Sequence, residues 1–142
     1  MSMSDGISAD NGELAELSLE LAAFDVVRRV AAAERLARLA EGAAGVAVAL
    51  VTATGDEEES VREWAVAALE ACGPPPACCC DELILLLDSP SLDVAYWAAT
   101  LLGRLGQATD ATTSALARSV ADSPHSAVRR RAAWALKKIR GG

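Results

Sequence analysis

The sequence predicts an all-α fold built from stacked helical hairpins, and three observations predict it. The first is a repeat. Asp88-Ser89-Pro90 is followed by Val94, Ala98 and Leu102, and 34 residues later Asp122-Ser123-Pro124 is followed by Val128, Ala132 and Leu136. A fixed period of that size marks an array of supersecondary units that bury their apolar faces on one another. The second is composition: 52% of the 142 residues are apolar but only 4% are aromatic, so Ala and Leu must fill the core, as in closely packed helices. The third is periodicity. Valine, alanine and leucine at positions 0, 4 and 8 share one face of a helix, and no stretch alternates long enough to suggest a sheet.

In chain order, residues 1–12 read as a flexible lead-in of Ser, Asp, Gly and Asn, and 13–142 as a single repeat domain. Leu14, Leu17 and Leu21 form a stripe opposite Glu13, Glu16 and Glu20, which predicts a short amphipathic helix capping the first repeat. A second helix is expected from about Asp25 to Ala40, stopped by Gly42, and carries a worn copy of the motif at Val27, Ala32, Leu36 and Leu39. The third, Ala43 to Thr54, has no charge and reads as buried between neighbours. Asp56 to Glu59 places acids at the start of the fourth, where they suit the positive helix end. That helix carries a further copy of the motif, Asp56, Val61, Ala65 and Leu69, and ends at Cys72-Gly73. Pro74-Pro75-Pro76 is a stiff break before the fifth helix, Ala77 to Leu87. The sixth runs from near Ser91 to Gly106, the seventh from Thr109 to Ala121, and the eighth, capped by Ser123, to Arg140.

Composition narrows the function. A net charge of −7 argues against a general nucleic-acid binder and against binding to an anionic membrane. No segment approaches the ~20 apolar residues of a membrane span, and the N-terminus lacks the pattern of a signal peptide, so a cytoplasmic protein is expected. Four cysteines at 72, 78, 79 and 80 make no disulfide framework. Adjacent thiols on a helix diverge by ~100°, so they do not converge on a metal, and they read as small buried fillers. His125, the one histidine, reads as a solvated turn residue. Trp64 and Trp97 share a repeat position and read as packing residues, while Trp134, at a different offset, reads as a cover for the open end of the last helix. No cofactor and no metal is expected.

The motif Asp-x5-Val-x3-Ala-x3-Leu with its Leu-Gly close resembles the HEAT-repeat family, particularly the short HEAT-like repeats of the phycobilisome-lyase type. Val61-Arg62 and Val128-Arg129 keep that family's Val-Arg pair, and Val94-Ala95 does not. The resemblance implies an α-α superhelix of about three and a half hairpins, the second helix of each pair lining a concave face. A tetratricopeptide reading of the same period lacks its Trp, Gly and Tyr signature.

The function expected is therefore a non-enzymatic protein–protein interaction module or adaptor with an unidentified protein partner, itself monomeric or weakly self-associating. The alternative implied by the resemblance is a bilin lyase-like protein or lyase subunit. A HEAT-like alkyl-DNA glycosylase fails on the acidic balance. The partner surface is expected on the concave face across the third, fifth and seventh helices. Leu83, Leu86, Ala117 and Val120 are placed inward, which turns Val51, Ile84 and Leu87 outward as an apolar strip. Arg118 lies at one end and Asp81 nearby. A second, electrostatic contact is expected at Arg129, Arg130 and Arg131, because residues 124–142 hold six bases and no acid whereas residues 1–27 hold six acids and no base.

Overall fold

The computed structural model describes residues 10–141. It is all-helical, with no strand among the described residues: α1 Asn11–Glu20, α2 Val26–Leu39, α3 Ala47–Ala53, α4 Glu59–Cys72, α5 Cys80–Leu86, α6 Leu92–Leu105, α7 Asp110–Asp122 and α8 Ser126–Gly141. Short 3-10 segments, Ala40–Val46 and Ala77–Cys79, lead into α3 and α5. Of the expected lead-in, residues 1–9 lie outside the described residues, and Asp10 already caps α1 by accepting from the Glu13 N–H at 2.7 Å. The chain divides into two compact units, Met1–Gly73 and Pro74–Gly142.

In the first unit α2 and α3 pack on α4, and α1 lies against α2. The core holds Ala33, Leu36, Leu39, Leu50, Val61, Ala65 and Leu69. Arg35 ties α1 down through Glu13 (Nε to Oε2 2.9 Å), and the guanidinium lowers the Glu13 carboxyl below its ordinary range. The worn first copy holds at Ala32, Leu36 and Leu39, but Val27 is 70% exposed. Glycine does not stop α2 at position 42: Ala40 adopts φ 51°, and the chain turns into the 3-10 segment there. Val26–Ala53 is, contrary to the sequence reading, long and apolar enough to cross a bilayer by length and composition. Its apolar residues Ala33, Leu36, Leu39, Leu50 and Val51 are nevertheless buried, and the turn at Ala40 divides it.

In the second unit α5 packs on α6, and α6 and α7 pack on α8. Val94, Ala98 and Leu102 on α6, and Val128, Ala132 and Leu136 on α8, are all buried, as the 34-residue period requires. Ser91 and Thr109 cap α6 and α7 through their hydroxyls, to Val94 N–H at 3.4 Å and Thr112 N–H at 3.2 Å. Ser123, expected to cap α8, instead closes α7; its hydroxyl accepts from His125 N–H at 3.3 Å, and α8 starts at Ser126. Gly106, at φ 76°, provides the left-handed residue that ends α6.

One arginine recurs with a fixed job. Arg29 Nη1 donates to the carbonyls of Ala23 and Phe24, both at 2.9 Å. Arg62 Nη1 donates to Asp56 O at 2.8 Å and Glu57 O at 3.1 Å, and Arg129 Nη1 to Ser123 O at 2.7 Å. In each case the guanidinium reaches back six residues and closes the turn that precedes its own helix. The corresponding residue of α6, Ala95, carries no donor, and that turn is held by Ser89, whose hydroxyl accepts from Ser91 N–H at 3.1 Å. Arg29 also forms a two-pronged pair with Asp56 (Nε to Oδ2 3.0 Å, Nη2 to Oδ1 3.3 Å), with the two side chains only 11% and 13% exposed. Asp56 is therefore a tertiary anchor as well as a turn residue, since its Oδ1 also accepts from Glu58 N–H at 2.9 Å.

Candidate protein-binding surface

The helical register decides which residues are available to a partner. On α5 the expected inward pair was Leu83 and Leu86. The structure buries Cys79, Leu83 and Leu87, leaving Ile84 and Leu86 half-buried and Leu85 73% exposed. Residues four apart share a helical face, so Leu87 follows Leu83 into the core. Its N–H completes the helix by bonding to Leu83 O and Ile84 O, both at 3.2 Å. Val51 is likewise buried, beside Leu50 and Ala53, because the short α3 is enclosed on more than one side. Val51 and Leu87 therefore do not form the exposed apolar strip expected of them. On α7 the stripe is Thr112, Ala115, Leu116 and Ser119, one residue out of step with the expected Ala117 and Val120. At ~100° per residue Ala117 points away from that face, and Val120 sits half-buried at its edge.

What remains outward on α5 is Asp81, Glu82 and Leu85, with Ile84 half-covered beside them; the outward residues of α7 include Ser114, Ala117, Arg118 and Ala121. Arg118 lines a shallow recess of about 250 Å³ with Leu87, Asp88, Ser119 and Asp122, between the turn after α5 and the turn after α7. Asp81 and Ile84 do not line it. The two turns are linked where His125 Nε2 lies 3.4 Å from Pro90 O. Leu85 was missed because the assumed stripe left no reason to look at it. The signal was in the run Leu83 to Leu87, five consecutive large apolar residues, which no single helix face can bury.

The arginine triplet of α8 separates into three roles. Arg129 is half-buried on the Ser123 carbonyl, and Arg130 is exposed. Arg131 lies between two rings, its Cζ 4.7 Å from the centre of Tyr96 and 4.6 Å from that of Trp134, and its Nη2 donates to the Tyr96 hydroxyl. Trp134 lies over Gly103 of α6, where a Cβ would stand 2.6 Å from Cζ3 of the ring. Of the other tryptophans, Trp97 is buried under Arg104 (5.5 Å) and Trp64 half-buried beside Arg38 (6.0 Å).

The cysteines gather no ligand set; among the described residues no group of three His, Cys, Asp or Glu side chains is placed to hold a metal ion. Cys78 is exposed, Cys80 Sγ meets Thr112 Oγ1 at 3.1 Å, and burial pushes the Cys79 thiol up to about 11. In the first unit an open cleft of about 700 Å³ runs between Leu21, Phe24, Arg29, Thr52 and Asp56, with the Phe24 ring wholly exposed.

Residues 80–142 match the family of HEAT repeats. No curated protein matches the chain.

Proposed function

We propose that the chain is a small HEAT-repeat protein that acts by binding another protein, with no reaction of its own. The observation that carries this reading is the match of residues 80–142 to HEAT repeats, a stretch in which α5 leaves the aliphatic side chain of Leu85 73% exposed. That side chain stands between half-buried Ile84 and the acids Asp81 and Glu82. HEAT repeats are commonly protein-interaction modules, and Leu85 is the aliphatic side chain that α5 leaves open to a partner. The superhelical stacking and concave face implied by the resemblance, and a cytoplasmic, monomeric or weakly self-associating state, belong to the same proposal.

The test is a capture experiment with Leu85→Glu. The tagged wild-type chain is expected to retain a partner from native lysate, and the variant to lose it with an unchanged helical signal and melting temperature. Retention of the same partner by Leu85→Glu would remove α5 from the binding surface.

A further inference from the structure

The solvent side of α8 carries a pattern that Leu85 does not explain. Val128, Ala132, Ala135, Leu136 and Ile139 face the core. At ~100° per residue, Arg130, Trp134, Lys137 and Lys138 fall together on the opposite side, with Arg131 at its edge. Trp134 remains 37% exposed there. None of the six cations of α8 pairs with a carboxylate among the described residues. The arginines of α2 behave differently: Arg28, Arg29, Arg35 and Arg38 pair with Glu20, Asp56, Glu13 and Glu34. The second unit holds eight bases and six acids, and the first five bases and fourteen acids, so the uncompensated positive charge is local to this helix.

The face is also shaped. Tyr96, Ala127, Arg130, Arg131 and Trp134 line a recess of about 260 Å³. Arg131 is fixed in it by two rings and the Tyr96 hydroxyl, which takes one of a guanidinium's five N–H donors. Gly103 lets the Trp134 ring lie close to α6 and still present an edge to solvent.

We propose that this face of α8 is a docking site for an acidic peptide segment bearing an aromatic or aliphatic side chain. Carboxylates meet Arg130, Lys137 and Lys138, and the apolar side chain meets Trp134 beside the recess. Charge complementarity selects the occupant. A short peptide senses only charges within about a Debye length, ~8 Å at physiological salt, and so sees the cations. A long polyanion also meets the repulsion of a chain whose net charge is −7.

The test uses the full chain and a fluorescein-labelled peptide rich in Asp and Glu with one Phe, followed by anisotropy, with a counterpart carrying Asn and Gln in place of the acids. The acidic peptide is expected to bind and to weaken as salt is added, while the neutral one does not bind. Arg130→Glu/Lys137→Glu should weaken binding by at least about tenfold, since both lost cations become repulsive. Trp134→Ala should weaken it with its salt dependence unchanged. Should the double reversal lower the melting temperature, Lys137→Gln/Lys138→Gln supplies the same comparison with a smaller loss. Binding unaffected by these changes, or equal binding of the neutral peptide, overturns the proposal. So does displacement by an equally charged DNA oligonucleotide at the same concentration, which would mark a general anion surface. Salt-sensitive dimers in sedimentation that the double variant abolishes would assign the face to a second copy and also overturn it.

Discussion

Two neighbouring arginines on α2 make the same kind of ion pair in different surroundings, and replacing each by glutamine should separate surroundings from chemistry. Arg28 pairs with Glu20 with side chains 59% and 32% exposed; Arg29 pairs with Asp56 at 11% and 13%. Exposed pairs contribute at most about 1 kcal/mol, because water and salt screen them. Arg28→Gln should therefore cost less than about 1 kcal/mol. Removing Arg29 leaves the Asp56 carboxylate largely covered at the border of the open cleft and strips the Ala23 and Phe24 carbonyls of their donor. Breaking a buried pair typically costs about 3–5 kcal/mol. Asp56 keeps the Glu58 N–H at 2.9 Å and slight access to water, which places Arg29→Gln near the lower end, about 3 kcal/mol. Urea titration followed by far-UV circular dichroism measures both variants. The double variant Arg29→Gln/Asp56→Asn should be less destabilised than the sum of its parts by about 2 kcal/mol. Added salt should narrow the already small effect at Arg28 and leave that at Arg29. A cost at Arg29 within half a kilocalorie of that at Arg28 would refute the idea that burial sets the difference.

Two further outcomes follow from the core. Leu102 is 1% exposed, and Leu102→Ala should cost about 2–5 kcal/mol in denaturant melts; a loss no larger than that of a surface substitution would take it out of the core. Cys79 titrates about 11 in the fold against an ordinary 9.0, so the buried neutral thiol favours the folded state fully below pH 9.0 and that contribution is lost as pH climbs to about 11. Melting temperature should fall across that window in the wild type and less in Cys79→Ala, and parallel slopes would disprove the linkage.

The motif helices were legible in the sequence because small and branched apolar residues at 0, 4 and 8 have one way to be buried. All nine positions from Val61 to Leu136 are in the core. The helices between them were not. On α5 the inward stripe joins Leu83 to Leu87, four residues on, where a count back from the aspartate joins it to Leu86, three residues on, and the short α3 is covered on more than one side. That is why Val51 and Leu87 were turned outward and Leu85 was overlooked. In the sequence Arg131 is one charge among three, because nothing local announces Tyr96, 35 residues earlier, as its partner. The Arg29–Asp56 pair was hidden in the same way: Asp56 sits in an acidic run whose local explanation, helix-end electrostatics, was sufficient on its own.

The pairing of helices bears on how the chain acquires its structure. α2 and α3 meet α4, and α6 and α7 meet α8, each within its own unit and a few dozen residues along the chain. Closing such short loops costs little entropy, and helical proteins dominated by local pairings fold in microseconds to milliseconds. During synthesis, α2, α3 and α4, which carry Leu36, Leu50 and Leu69, are all made before Pro74 is added. Near-identical motifs invite mispairing between copies, yet the correct neighbour arrives first and at the highest local concentration. The order of emergence from the ribosome thus does part of the discrimination that the repeated residues themselves do not.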